Sequence, residues 1–389
     1  MRENLHFGIC SSLSELASRL GKTSFFSTSN VYSSLEWWAS VELMRPEIRI
    51  EYGYISHNQK VTAAIPIYFY SPGRTGDPYA ADWKVDKHKW PASRAAEPWA
   101  LVGGCSGFHS GFIYTSQSEA ENHVQLLFRS TFAYLKEKNF NLMAPFLDLT
   151  NCRNICDSLS LQGFPAHLVN ATTTLPVNFT SFDEYISLLP QQFRTIVRRD
   201  TRTILDSELR VEVMRLSECM GFLPSLWDAV EVSHGSKPNL ELRCSMLNAQ
   251  AKTMDNISSV FVVKDSANRV ISASLYYEYN GEIHCRLVGV DYERAKPTGA
   301  YFEAMYYAPI RYAIHEKLQK VCFGIDAFTA KIIRGSELRP LFTLYVGQDL
   351  RTLDPSAAKE ATSQVMNYLR SFTKNISSKS YQIPNFDQI

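Results

Sequence analysis

The sequence predicts a mixed α/β protein built from two copies of one unit, in which three strands, one helix and a fourth strand follow one another. The second copy carries the clearer pattern, because Asn280-Gly281 separates two runs of alternating apolar residues and is a strong hairpin signal. Its strands are expected at residues 260–264, 270–279, 282–290 and 321–325, with a helix at about 299–318.

The first half of the chain repeats this order of elements. Its strands are expected at residues 48–55, 61–70, 101–105 with 111–114, and 140–147, and its helix near 118–138. We therefore expect tandem domains at residues 1–170, with a helical lead-in, and 171–348, followed by a C-terminal helix and tail at 349–389. The irregular, tryptophan-containing segment 71–98 is interpreted as a lid or binding loop.

Composition limits the classes of function. The 389 residues carry a net charge of +1 and are 45% hydrophobic and 20% charged, which is ordinary for a globular protein and provides no global attraction to DNA. The eight cysteines are scattered without a CxxC pair, which favours reduced thiols over a metal site. No apolar run approaches the length that spans a bilayer and no apolar targeting segment is visible, so a cytoplasmic protein is expected.

A helix with two distinct faces is expected after Pro190, a residue that suits the first turn of a helix. Its apolar face comprises Phe193, Ile196, Val197 and Ile204. Another face carries Arg194, Arg198 and Arg202, with Arg199 beside them. Within the helix only Asp200 and Asp206 counter these arginines, and like charges four residues apart repel each other. The arginines form either a solvated helix face or a binding site for a phosphate-bearing ligand.

Ionisable residues line one face of the predicted hairpin. A two-residue turn pairs Tyr279 with Glu282, Tyr277 with His284, and Leu275 with Arg286. Glu282, His284 and Arg286 therefore share a face with Tyr277, and Asp291 follows at the end of the strand. Because histidine titrates near neutral pH, His284 is the first candidate for a general base, and Asp291 is the second. The alternative for His284 is a structural pairing with Tyr277.

Four segments of the second half carry a family resemblance. They are residues 189–202 (LPQQFRTIVRRDTR), 286–291 (RLVGVD), 301–310 (YFEAMYYAPI) and 330–340 (AKIIRGSELRP). These segments resemble the Fem-type and FemAB-like transferases of the GNAT superfamily, firmly over about residues 180–345 and more loosely over 25–150. The resemblance implies tandem GNAT-like domains, each with a mixed sheet flanked by helices. It further implies an N-acyltransferase that forms an amide bond.

In such a transferase an acceptor amine attacks an activated acyl group. The resemblance implies a CoA thioester, a carrier-protein thioester or an aminoacyl-tRNA ester as co-substrate, without a tightly bound cofactor. The chain departs from the CoA-binding pattern at residues 294–300 (RAKPTGA), where Gly299 remains but Pro297 removes a backbone amide. We therefore expect a carrier-protein or aminoacyl-tRNA donor. The candidate donor-binding residues are Gly299, Arg194, Arg198 and Arg202.

Lys331 is similar in position to a Fem-type lysine that lies near the reacting ester, so the resemblance implies that Lys331 stabilises the developing oxyanion. No serine-histidine-acid set stands out, which favours direct attack. A small-molecule amine is the expected acceptor, with Tyr277, Arg286, His234, Asp326 and Arg334 as its candidate binding residues. Asp326 could instead cap a turn, and Arg334 could form a salt bridge. The alternative for the whole protein is a degenerate GNAT pair that binds a ligand or partner without turnover.

Overall fold

A computed structural model describes residues 5–21, 26–27, 30–70, 98–115, 120–148, 166–346 and 355–373. Residues 71–97 of the predicted binding loop at 71–98 lie outside these ranges. The described residues form two compact units. Unit 1 contains those up to Ala171 and those from Arg339 onwards, and unit 2 contains Thr172–Leu338. Residues 339–346 thus lie in unit 1, whereas the sequence pattern placed them with the second half.

The strands are β1 (Leu5–Cys10), β2 (Phe26–Ser27), β3 (Arg49–His57), β4 (Lys60–Tyr70), β5 (Trp99–Val102), β6 (Ile113–Tyr114), β7 (Asn141–Asp148), β8 (Ala166–Pro176), β9 (Arg210–Met214), β10 (Ser258–Lys264), β11 (Val270–Tyr279), β12 (Glu282–Val290), β13 (Lys320–Gly324) and β14 (Glu337–Val346). The helices are α1 (Leu13–Leu20), α2 (Leu35–Met44), α3 (Ala120–Glu137), α4 (Phe182–Leu188), α5 (Gln191–Asp206), α6 (Leu223–Ser233), α7 (Leu240–Met254), α8 (Tyr292–Ala295), α9 (Ala300–Phe302), α10 (Ala308–His315), α11 (Phe328–Ile333) and α12 (Pro355–Thr373). A π-helical turn, Glu303–Tyr307, joins α9 to α10. Within the described ranges, no helix is both long and apolar enough to cross a bilayer.

The main sheet of unit 1 has the strand order β1-β3-β4-β5-β7-β14. Neighbouring strands are antiparallel except β5 and β7, which are parallel and are connected through α3. A parallel pair requires a crossover of this kind, because a tight turn reverses the chain direction. β4 is buried at every position after Lys60, which accounts for its nearly continuous apolar run.

The sheet of unit 2 has the order β8-β13-β12-β11-β10-β9. Its parallel pair is β12 and β13, and the crossover consists of α9, the π turn and α10. Both units therefore contain three antiparallel strands, then a helix, then a strand parallel to the third. The predicted fold class, a pseudo-duplicated mixed α/β protein, is confirmed.

The β11–β12 hairpin turns at Asn280-Gly281, and both residues have the positive φ (48° and 74°) that a type I′ turn requires. Tyr279 lies opposite Glu282 and Tyr277 opposite His284, as predicted. The third predicted pair is wrong, because Leu275 lies opposite Leu287 and not Arg286. Arg286 is the extra residue of a β-bulge, which shifts the register by one and bends the strand.

Helix α6 packs closely on β12 at Gly289. A Cβ atom there would lie 2.6 Å from Leu226 Cβ and 2.9 Å from the Leu226 carbonyl carbon, so even a methyl group forces the helix away. We expect Gly289→Ala to lower the free energy of unfolding by about 1–3 kcal/mol in urea titrations. Gly221→Ala is the matched control, because a Cβ atom there meets nothing within 4 Å. Equal stabilities of the two variants would contradict the packing.

Candidate active site

In unit 2 the parallel strands β12 and β13 separate after a short paired stretch. Residues 282–284 pair with 320–322, and among the described residues no pair joins the two strands beyond that point. The bulge at Arg286 bends β12 directly afterwards. Cys285 and Arg286 on one strand and residues 323–324 on the other therefore flank the stretch where the two strands are no longer paired, which we call the strand opening.

Unit 1 has the corresponding parallel pair, but a glycine-rich loop lies beside the free part of β7. The Ser110 amide donates to the Phe146 carbonyl (3.1 Å), and the Ser110 hydroxyl donates to the Pro145 carbonyl. Gly111 sits so close to the Tyr32 main chain that no side chain fits there. The loop thus occupies the place that corresponds to the strand opening, and unit 2 offers the better candidate site.

Lys331 is a buried cation beside the strand opening. It projects from α11, is 2% exposed, and its Nζ donates a hydrogen bond to the Ile325 carbonyl (2.6 Å). Burial lowers the pKa of Lys331 to about 8, although Cys285 and Asp326 oppose the shift. Burial also raises the pKa of Cys285 to about 11, so Cys285 is a neutral thiol and a poor nucleophile at neutral pH.

The turn between β13 and α11 places two non-glycine residues in the left-handed region. Asp326 has φ 62° and Ala327 has φ 47°. L-residues adopt this conformation at a cost in free energy, which is smaller for Asp than for Ala. Asp326 is half-buried and interacts electrostatically with Lys331. The predicted acceptor residue Asp326 and the predicted oxyanion residue Lys331 therefore meet at one end of the strand opening.

The polar residues of β12 lie on the other face of the sheet. His284 points away from Cys285, because side chains alternate along a strand. Tyr277 Oη and Arg286 Nε both donate to Gln250 Oε1, at 2.9 and 3.3 Å, which confirms that these two predicted residues share a face. The predicted base His284 and Lys331 therefore do not converge on one reacting atom, and the role of His284 as a base stays a prediction.

Glu282, His284 and Cys322 form a compact group on that face, which we call the three-ligand cluster. Glu282 Oε2 lies 3.8 Å from His284 Nε2 and 3.6 Å from Cys322 Sγ. The second carboxylate oxygen, Glu282 Oε1, accepts a hydrogen bond from Lys320 Nζ at 2.5 Å. All three members of the cluster are at least nine-tenths buried.

Arg334 belongs to a buried network rather than to an open binding surface. Its Nη2 donates to Asp200 Oδ2 (2.6 Å) and its Nη1 to the Ala330 carbonyl (2.8 Å). The Arg334 Nε donates to Tyr307 Oη (3.1 Å), which in turn donates to Asp200 Oδ2 (2.8 Å). Arg334 is 2% exposed, and its guanidinium also stacks on Phe302 at 4.3 Å from the ring centre. This geometry favours the salt-bridge alternative over acceptor binding.

The arginines of α5 face solvent, except for Arg194, which is half-buried and donates to the Ser187 carbonyl (3.3 Å). We call the exposed residues Arg198, Arg199 and Arg202 the arginine patch. Asp200 points inward to Arg334, and Arg199 approaches its other oxygen at a distance of 4.0 Å. Asp200, one of the two acidic residues of the helix, thus neutralises the buried Arg334. The positive charge of the arginine patch therefore remains poorly neutralised.

The loop that corresponds to a CoA pyrophosphate cradle is closed. The backbone amides of Ala295, Lys296, Thr298 and Ala300 all donate to acceptors within residues 291–298. Pro297 has no amide hydrogen. Gly299 adopts the left-handed conformation (φ 75°). A Cβ atom at this position would lie 3.0 Å from Ile204 Cγ1 of α5. Four of the amides that could bind a phosphate therefore already have acceptors, and a fifth is removed by the proline.

Two predicted residues lie away from the strand opening. Asp291 accepts a hydrogen bond from the Arg294 amide (3.2 Å) and caps α8. Burial raises the pKa of Asp291, but hydrogen bonds from Arg294 outweigh that effect and hold it below its ordinary value. His234 is exposed at the C-terminal end of α6. The sequence pattern did not identify Asp200 as the buried partner of Arg334. The available signal was its helical spacing from Phe193 and Val197, which places Asp200 on the buried face of the helix.

Comparisons with known proteins agree with this architecture. The family model FemAB_like, described as peptidoglycan biosynthesis/recognition, matches residues 110–379. A search of curated proteins finds no match. The solved structure of FemX has a TM-score of 0.57 at 12% identity, over 82% of this chain and 93% of FemX.

Two further solved structures resemble the chain. A conserved protein of unknown function from Bacteroides thetaiotaomicron has a TM-score of 0.53 at 10% identity, over 87% of this chain and 99% of that one. A tandem GNAT protein from the clavulanic acid biosynthesis pathway has a TM-score of 0.47 at 9% identity, over 88% of this chain and 98% of that one. At these identities the likeness concerns the fold, whereas the family model covers more than half of the sequence. The chain belongs to the FemAB-like family.

Proposed function

We propose that the protein transfers an activated acyl or aminoacyl group to an acceptor amine at the strand opening of unit 2. Membership of the FemAB-like family supports a transferase of this broad class. The single observation that carries the proposal is Lys331, a buried cation held beside the opening by the Ile325 carbonyl. Buried lysines are costly to fold around, so a functional reason for this one is expected.

Lys331 suits the stabilisation of an oxyanion. An ammonium group has three N–H donors, and the hydrogen bond to Ile325 uses one of them. When the amine attacks the ester carbonyl, the oxygen becomes negative, and a desolvated cation nearby stabilises it more strongly than water would. Asp326, which lies at the same turn, would orient the neutral acceptor amine by accepting a hydrogen bond from its N–H group. Collapse of the intermediate breaks its bond to the donor oxygen or sulfur and forms the amide, and the proton that the attacking amine loses ends on the released donor alcohol or thiol.

Among the activated donors, the geometry favours aminoacyl-tRNA. The closed loop around Gly299 argues against free CoA, because four of its amides already have acceptors and Pro297 has no amide hydrogen. The arginine patch supplies exposed, weakly countered positive charge, which suits a polyphosphate backbone. The family description directs the search for the acceptor amine toward peptidoglycan precursors.

The direct test is a transfer assay with purified protein and mixed amine acceptors, including peptidoglycan-precursor peptides. Labelled aminoacyl-tRNA, acyl-CoA and acylated carrier protein are supplied separately. We expect an amide product with aminoacyl-tRNA and little with CoA thioesters. Faster transfer from a CoA thioester would overturn the donor assignment. The closed loop also fits a non-catalytic binding pair, and binding of a donor without any product would favour that second candidate.

The arginine patch makes a separate prediction about salt. The logarithm of the tRNA association constant should fall steeply with the logarithm of salt concentration, because each phosphate contact releases counterions. We expect Arg198→Ala with Arg202→Ala to flatten this slope by about 2, one for each lost contact. Arg210→Ala is the control, since Arg210 is exposed on β9 outside the patch. A slope that is unchanged in the double variant would exclude the patch from tRNA binding.

A further inference from the structure

The three-ligand cluster on the face opposite Lys331 has the chemistry of a metal site. It combines a thiol, an imidazole and a carboxylate, contributed by Cys322, His284 and Glu282. Zinc binds these three ligand types in proteins, whereas magnesium and calcium prefer oxygen ligands alone. Mixed sulfur, nitrogen and oxygen ligands therefore point to zinc rather than to a hard cation.

The distances also fit one ion. Zinc bonds of about 2.0–2.3 Å in a tetrahedron place neighbouring ligand atoms about 3.3–3.7 Å apart. Glu282 Oε2 lies 3.6 Å from Cys322 Sγ and 3.8 Å from His284 Nε2, and all three ligand atoms lie within 4.8 Å of one another. A pair at the upper limit of 4.8 Å would have to shorten by about 1 Å for the three atoms to share one ion.

The backbone holds these ligands in place. Glu282 and His284 are two residues apart on β12 and so point to the same face, and Cys322 is the direct neighbour of His284 on β13. The ligands occupy the last paired positions before the two strands separate. An ion bound here would link β12 to β13 at the base of the strand opening.

The surroundings allow an ion to reach the cluster and be held there. Lys320 Nζ donates a hydrogen bond to Glu282 Oε1, and the second carboxylate oxygen, Oε2, is directed toward Cys322 and His284. The Lys320 side chain is 29% exposed, which places the cluster close to solvent on that side. The lysine charge lowers the affinity for a cation, but a thiolate formed at Cys322 compensates for it.

We propose that Glu282, His284 and Cys322 bind one Zn²⁺ ion. On binding, the Cys322 thiol loses its proton to solvent, the hydrogen bond from Cys322 to Glu282 is broken, and a zinc–thiolate bond forms, without any change of oxidation state. Three protein ligands leave a fourth position for a water molecule. The proposal does not depend on the identity of the acyl donor.

The test uses the full chain, stripped with a chelator, dialysed and titrated with Zn²⁺ and with Co²⁺. We expect about one zinc per chain by mass spectrometry of the metal, about one proton released per ion, and a thiolate-to-cobalt charge-transfer band. The absence of that band together with a zinc content near zero would overturn the proposal.

Variants identify the ligands. We expect Cys322→Ser to abolish the charge-transfer band and to weaken zinc binding about 100-fold or more, beyond what loss of an outer hydrogen bond to a ligand costs. Cys219→Ser is the control, because Cys219 is also buried in unit 2 but lies outside the cluster. Zinc binding that survives Cys322→Ser unchanged would place the metal elsewhere. If Cys322→Ser does not fold, Glu282→Gln serves as the second variant, with the same expected weakening.

Discussion

Replacing Asp200 with alanine is expected to lower the free energy of unfolding by about 3–5 kcal/mol, the typical cost of removing one partner of a buried ion pair. Asp200 neutralises the Arg334 guanidinium, which is 2% exposed, and it also accepts a hydrogen bond from Tyr307. Without the carboxylate, a positive charge remains in the interior of unit 2 without compensation. Urea unfolding followed by intrinsic fluorescence measures the loss.

Two further variants separate this explanation from a general effect on the helix. Asp206→Ala removes an exposed carboxylate from the last position of the same helix and should change stability by no more than about 0.5 kcal/mol. Asp200→Ala combined with Arg334→Met removes both charges, and most of the lost stability should return, because apolar groups of similar volume replace buried ion pairs well. A double variant as unstable as Asp200→Ala alone would show that the charge is not the cause.

Replacing Lys331 with methionine is expected to reduce the rate of acyl transfer about 10²–10³-fold, the usual cost of losing one oxyanion-stabilising donor. Methionine has a similar shape but no charge, so packing is retained. In the wild-type protein, the transfer rate should fall as the pH rises through about 8, because Lys331 then loses its proton. Activity in the methionine variant within threefold of wild type would remove Lys331 from the mechanism.

The same substitution should increase stability at neutral pH. The folded-state pKa of Lys331 is about 8, below the value of 10.5 for a free lysine, so burial of its charge opposes folding. The cost is present in full below pH 8, where both states are protonated. It diminishes as the pH rises toward 10.5, because the unfolded chain then binds more protons than the folded one. The stability advantage of Lys331→Met should therefore shrink over this interval.

A control for that stability measurement is available on α7. Lys252 is exposed, and Lys252→Met should leave the dependence of stability on pH unchanged. The same change in the pH dependence of stability in both variants would indicate a general effect of removing positive charge rather than the burial of Lys331.

Local patterns were enough to predict the repeated order of strands and helices. The Asn280-Gly281 turn fixes which residues face each other near it, and the pairs of Tyr279 and Tyr277 follow directly. The bulge at Arg286 could not be predicted, because an extra residue in one strand leaves the alternation of apolar residues on its partner unchanged. The pairing of β13 with β8 was equally inaccessible, since β8 precedes it by more than a hundred residues.

The candidate site was less predictable than the fold. Lys331 was identified by resemblance, but its burial depends on packing that no local pattern reports. The ion pair of Asp200 and Arg334 joins residues 134 positions apart. Likewise, the sequence separates His284 from Cys322 by a whole helix, so their spacing matches no common zinc motif. Side chains that meet through strand pairing become visible only when the strand order is known.

The insertion of unit 2 between β7 and β14 has a consequence for synthesis on the ribosome. One edge of β7 pairs with β14, which is made roughly 190 residues later. At about 5–20 residues per second, that edge waits on the order of 10–40 s for its partner. During this time it presents free backbone groups that can recruit other chains. Nascent unit 1 is therefore expected to need chaperones, and fragments that end before β14 should aggregate.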